Sequence, residues 1–203
     1  MQYTNFTDLF ELVQSLAGVD AFTPVESARM VGLINRRLYE AYNSTPSWPR
    51  YAVVGEERTL TSNLVAFTQS AKDTISDFQR IHKTQPFVSF SAVEYEFYVD
   101  SSGAHILNNV DTSASTAWVT YKKIWDGPFD IASTTVPQEF YYYAAHAAYA
   151  DFLRMDGQID KAVAEETIAA SYLATEIAKA ESQRNNNIIS RRISTHNSRQ
   201  FRA

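Results

Sequence analysis

The sequence predicts an α+β fold, mainly α: a helical bundle with a long C-terminal helical hairpin, a small antiparallel β lobe inserted in the middle, and an extended C-terminal arm. Three observations predict it. Apolar residues recur at helical spacing towards both ends of the 203-residue chain, the period changes in the middle, and residues 184–203 carry neither pattern. The expected divisions are 1–50 (N-terminal helices), 51–125 (β-rich lobe), 126–183 (C-terminal helices) and 184–203 (basic arm).

Phe6, Leu9, Phe10, Leu12, Val13 and Leu16 share helical spacing, and Gly18 is a natural stop. Thr23-Pro24-Val25-Glu26 is a sharper start: a side-chain oxygen to cap the helix, proline at its first position, and a glutamate three residues after the cap. This second helix runs through Met30, Leu33, Ile34, Leu38 and Ala41 to the break at residues 44–49. Tyr51 to Val54 and Leu64 to Phe67 read as short strands. Glu94 to Val99 and Ala104 to Leu107 flank a glycine-containing turn and predict a hairpin. Ala117 to Lys122 alternates as a strand does. Thr74 to His82 fits either a helical turn or a strand. After the turn Asp126-Gly127-Pro128, two helices are expected over 137–155 and 158–183, meeting at Asp156-Gly157. In the second, Ile159, Val163, Thr167, Ala170, Leu173 and Ile177 form a stripe at steps of three or four, the face expected to pack.

Charge is segregated. The last twenty residues hold five arginines (Arg184, Arg191, Arg192, Arg199, Arg202) and no acid. The remaining 13 bases face all 23 acids, so residues 1–183 carry −10 and the tail +5, giving the net −5 of the chain. The absence of cysteine excludes disulfides and thiolate metal sites. No apolar run approaches the roughly 20 residues a membrane span needs. The first five residues lack a basic and apolar leader pattern, so no signal peptide is expected.

Little points to catalysis. His82, His105, His146 and His196 fall on four different expected elements, and His146 reads as a packing histidine. There is no phosphate-binding glycine loop and no Gly-x-Ser-x-Gly. Glu56-Glu57 and Glu165-Glu166 are sequence neighbours whose side chains diverge, so neither is an acid–base couple, and Glu165-Glu166 reads as solvated charge. Asp151 and Asp156 do not fit a calcium loop. The expectation is a non-enzyme with no cofactor and no metal. The basic tail admits three readings: a nucleic-acid arm, a protein-docking arm, or a solvated tail. Ile188, Ile189, Ile193 and Phe201 among the arginines, and the acidic body, favour docking on protein.

The order Trp48-Pro49-Arg50-Tyr51, Val53 to Arg58, Val136-Pro137, an aromatic and alanine helix, and Asp156-Gly157-Gln158 resembles the head–tail connector, or portal adaptor, proteins of tailed bacteriophages, over roughly residues 20–183. The resemblance implies a structural virion protein of the neck, made in the host cytoplasm. Copies would form a ring, twelve-fold in such families, that extends the DNA channel. Its partners would be the portal protein, neighbouring copies and the next tail component, with DNA passing through unbound by sequence and no membrane involved. The arm (Arg184, Ile188, Ile189, Arg191, Arg192, Ile193, Arg199, Phe201, Arg202) would bind the portal. Tyr141, Tyr142 and Trp48 would serve subunit or tail contacts. The alternative is a DNA-binding or packaging accessory protein that uses the arm on nucleic acid.

Overall fold

The computed structural model describes residues 2–46, 48–86, 93–107 and 115–200, with side chains only as far as 183. The chain divides into two compact units, residues 1–45 with 127–203, and residues 46–126.

The first unit opens with strand β1 (Tyr3–Thr4), followed by helix α1 (Phe6–Ala17), which buries Phe6, Leu9, Phe10 and Val13 on one face. Gly18 ends it in the left-handed conformation at φ 68°, where its amide reaches back to the last turn. Helix α2 (Pro24–Asn43) starts with the expected reciprocal cap: the Glu26 amide donates to the Thr23 hydroxyl, and the Thr23 amide donates to the Glu26 carboxylate at 2.9 Å. Its buried face is Met30, Ile34, Leu38, Ala41 and Tyr42.

The second unit holds β2 (Ala52–Thr59), β3 (Leu64–Ala66), β4 (Ile75–His82), β5 (Phe97–Val99), β6 (Gly103–Ile106) and β7 (Thr116–Lys123). They form two antiparallel sheets, ordered β2-β7-β4 and β3-β6-β5. The central strand β7 turns Ala117, Val119 and Tyr121 inward, the period of two that an antiparallel strand with one buried face requires. These pack in one core with Leu60, Val65, Ile75, Phe78, Ile81 and Ile106. The hairpin β5–β6 pairs Tyr98 with His105 and Val99 with Ala104. At the head of β6, Gly103 is obligatory: its φ is 147°, and a Cβ there would lie 2.1 Å from the Val65 carbonyl oxygen of β3.

The chain returns to the first unit through β8 (Val136–Pro137), which pairs antiparallel with β1, and a 3-10 turn (Gln138–Phe140). Helix α3 (Tyr141–Met155) packs against the other three helices. It buries Ala144, Ala145, Ala147, Ala148 and Ala150, and these small side chains let its neighbours approach closely. Helix α4 (Ile159–Gln200) follows after Asp156-Gly157 and runs 42 residues.

The mainly helical expectation is corrected. Among the described residues, four helices stand beside eight strands in three antiparallel sheets. Residues 75–82, which suited helix or strand equally, are strand, and the two-residue pair β1–β8 is too short to show any period. The C-terminal pair is not a matched hairpin with an extended arm, because α3 has 15 residues and α4 has 42. No glycine or proline follows Gly157, so nothing in the backbone ends α4 where the composition changes at Arg184.

The packed face of α4 is also not the one expected. The residues buried there are Ala162, Ala169 and Ala180, while Ile159 and Val163 are each 54% exposed. At about 100° per residue, the Ile159–Val163 stripe lies roughly a sixth to a quarter of a turn from the alanine face. Close contact with the alanines of α3 selects small side chains, and the large apolar ones are left beside the contact.

Candidate interaction surface

The densest polar arrangement in the first unit joins α2, α3 and α4. Asp151 of α3 receives two hydrogen bonds from Arg37, from Nε at 2.7 Å and from Nη2 at 2.6 Å, and a third from Arg36 Nη2 at 2.7 Å. Arg154 reaches the same carboxylate at 3.3 Å and also pairs with Glu166 of α4. Arg37 bonds Glu40 at 2.8 Å, and Glu40 accepts from the Tyr143 hydroxyl at 3.3 Å. Three guanidinium groups therefore meet three carboxylates. The hydrogen bond to Asp151 raises the pKa of Arg37, and burial opposes it. The forked geometry suits a planar guanidinium, and it ties the helices in one register rather than leaving a reactive carboxylate.

A groove of about 310 Å³ runs beside this cluster. Tyr143 and Ala147 of α3 line it together with Ala170, Leu173 and Ile177 of α4, and Arg37 and Glu166 sit in its lining as the polar members. The half-buried Leu173 and Ile177 continue into the exposed residues Val163 and Ile159, so an apolar strip extends along α4.

On another side of α3, His146 Nδ1 lies 2.7 Å from Glu165, and its ring stacks on Tyr172 at 5.4 Å. Tyr142 stacks on Tyr172 as well, at 5.2 Å. Glu165 and Glu166 are thus both paired, which corrects their reading as solvated charge. Tyr142 is 52% exposed and available to a partner. Tyr141 is partly covered, and its hydroxyl donates to the Asp8 carbonyl at 2.9 Å. Trp48 is 1% exposed, so it cannot be the contact residue the sequence suggested. It ends the approach to β2 as a core side chain. The side chains of Arg184, Ile188, Ile189, Arg191, Arg192, Ile193 and Arg199 lie outside the described residues, as do Phe201 and Arg202 entirely; the backbone of 184–200 is helical.

The second unit contains a buried ion network. Arg58 is fully buried, its Nε 2.8 Å from Glu56 and its Nη2 2.5 Å from the Tyr121 hydroxyl. That hydroxyl donates to Glu56 at 2.8 Å, and the guanidinium lies over the Tyr121 ring at 4.7 Å. Strand alternation puts Glu56 and Arg58 on the inner face and leaves Glu57 outside. Burial, with Glu56 beside it, pushes the Tyr121 phenol up to about 12.

One cluster in this unit has the residue types of a nucleophilic triad. Ser102 Oγ lies 3.1 Å from His105 Nε2, but Asp100 contacts the same nitrogen at 2.9 Å. A working triad needs its acid on the other ring nitrogen. Here Ser102 gives its proton directly to Asp100, and the Ser102 amide also donates to that carboxylate at 2.7 Å. The arrangement holds the β5–β6 turn together, and those two Ser102 bonds keep the Asp100 carboxyl below its ordinary range. Among the described residues no group of histidine and carboxylate side chains could hold a metal ion, and no helix is long and apolar enough to cross a membrane.

No protein-family model matches this chain, and no curated protein matches it.

Proposed function

We propose that this chain is a structural subunit of a phage neck, an adaptor between portal and tail that attaches through the basic C-terminal end of α4. The observation that carries this reading is α4 itself. At about 1.5 Å per residue it is about 63 Å long against about 22 Å for α3, so it outruns the helix it packs on. Its far end has arginines and no acid, whereas the rest of its unit is acidic. A helix whose far end carries charge opposite to the rest of its unit is suited to joining something else. Tyr142, Met155, Ile159 and Val163, each more than half exposed, offer apolar area for neighbouring subunits of a ring. Acidic residues in the channel wall would let DNA pass without adhering.

The test mixes the protein with the portal ring of the same virion and images the mixture by negative stain. The full chain is expected to cap portal rings, and a chain ending at Gln183 to leave them bare while keeping the cooperative thermal unfolding of the full chain. Normal capping by the shortened chain would remove the arm from the proposal. If the arm served nucleic acid instead, the full chain would bind duplex DNA with a steep loss on adding salt, set by up to about five phosphate contacts.

A further inference from the structure

The groove beside α4 and the basic end of the same helix complement each other, yet they cannot meet within one chain. The groove ends near Ile177. Because α4 is continuous to Gln200, Arg184 lies about 10 Å farther along the axis and Arg199 about 33 Å, receding from the groove with every turn. Only another molecule can bring that segment to the groove.

The charges of α4 specify how. Between Ile159 and Gln183 it carries Asp160, Glu165, Glu166, Glu176 and Glu181 against Lys161 and Lys179. From Arg184 to Gln200 it carries four arginines and no acid. Two such helices placed parallel set like against like. Placed antiparallel, each acidic half lies beside an arginine half. Beside the groove Glu166 and Glu40 are already paired with Arg154 and Arg37, so the match comes from the charge count along α4 itself. In the basic segment Ile189 and Ile193 are four residues apart, with Ile188 adjacent, a spacing that gives a helix an apolar edge for a groove lined by Ala170, Leu173 and Ile177.

We propose that residues 184–200 of one copy lie along the α3–α4 groove of a second copy, and reciprocally, in an antiparallel two-fold pair. The contact is isologous, so each molecule supplies one groove and one arm. Each copy carries −5 overall, and that repulsion is diffuse and screened beyond about 10 Å at 0.1 M salt, whereas the arginines and glutamates meet at contact. The pair goes beyond the connector reading and needs only this chain. On a portal the same arm would have to leave the groove, so pairing and attachment would exclude each other.

Sedimentation equilibrium of the full chain decides it, without portal or nucleic acid. At about 0.1 M salt the expected mass is twice the 22.9 kDa of one chain. At about 1 M salt, where screening shortens to about 3 Å, dissociation should rise at least about tenfold. Two variants should be single copies: the chain ending at Gln183, and full-length Ala170→Arg. The second places a bulky like charge at an exposed position in the groove, and its circular dichroism should match that of the parent. A full chain that stays a single copy at about 0.1 M salt, a shortened chain that still pairs, or an assembly larger than two overturns the proposal. None of these results bears on whether portal rings are capped.

Discussion

Asp151 is the carboxylate on which three arginines from two helices converge. It was visible in the sequence as the one acid inside an alanine-rich helix, but its partners lie 114 and 115 positions away, at Arg37 and Arg36. Spacing along a chain does not report such distances. Asp151→Asn keeps the shape and removes the charge, leaving Arg37 facing a neutral amide. Unfolding by urea should show a loss of about 3 kcal/mol, the scale for breaking a buried pair from one side. Glu166→Gln, at a partly exposed position, should cost under about 1 kcal/mol. Equal losses for the two would contradict the central place given to Asp151. In the other unit, Tyr121 makes stability fall at high pH. The fold favours the neutral phenol, so this contribution is complete below pH 10 and is lost as pH rises through about 12. The rise of the phenol to about 12 corresponds to at most about 3 kcal/mol. Tyr121→Phe lacks the titration, so the stability difference between parent and variant should shrink across that window. A constant difference would dissociate the phenol from the alkaline loss.

At the scale of elements, local chemistry was legible wherever a residue acts on its own backbone. The Thr23–Glu26 cap, the Gly18 stop and the hairpin around Gly103 all form. Gly103 does more than turn the chain, since β3 passes where its side chain would be. Gly103→Ala should therefore destabilise the second unit by more than about 1 kcal/mol, because alanine suits neither the positive φ nor the space. Thermal unfolding followed in the near ultraviolet, where the aromatic core of that unit absorbs, would register it; an unchanged midpoint would show that β3 can shift away. The stripe of α4 misleads for a different reason. Periodicity identifies an apolar face, but a helix that meets alanines at close range buries its own alanines instead. The strand at residues 75–82 was ambiguous because a short apolar pattern satisfies both periods.

For the whole molecule, charge segregation was readable as a count, and the residue types excluded thiolate chemistry and the familiar phosphate loops. What the letters alone settled is local: where helices start, where turns fall, and that acid and base occupy different parts of the chain, because each depends on a residue and its near neighbours. The tertiary structure decided what depends on distant partners. It set the buried Glu56–Arg58–Tyr121 network, the convergence on Asp151, the covering of Trp48, and which side of α4 is left open. Those are outcomes of packing, in which the shape of the neighbouring surface chooses among faces that the sequence pattern leaves equivalent.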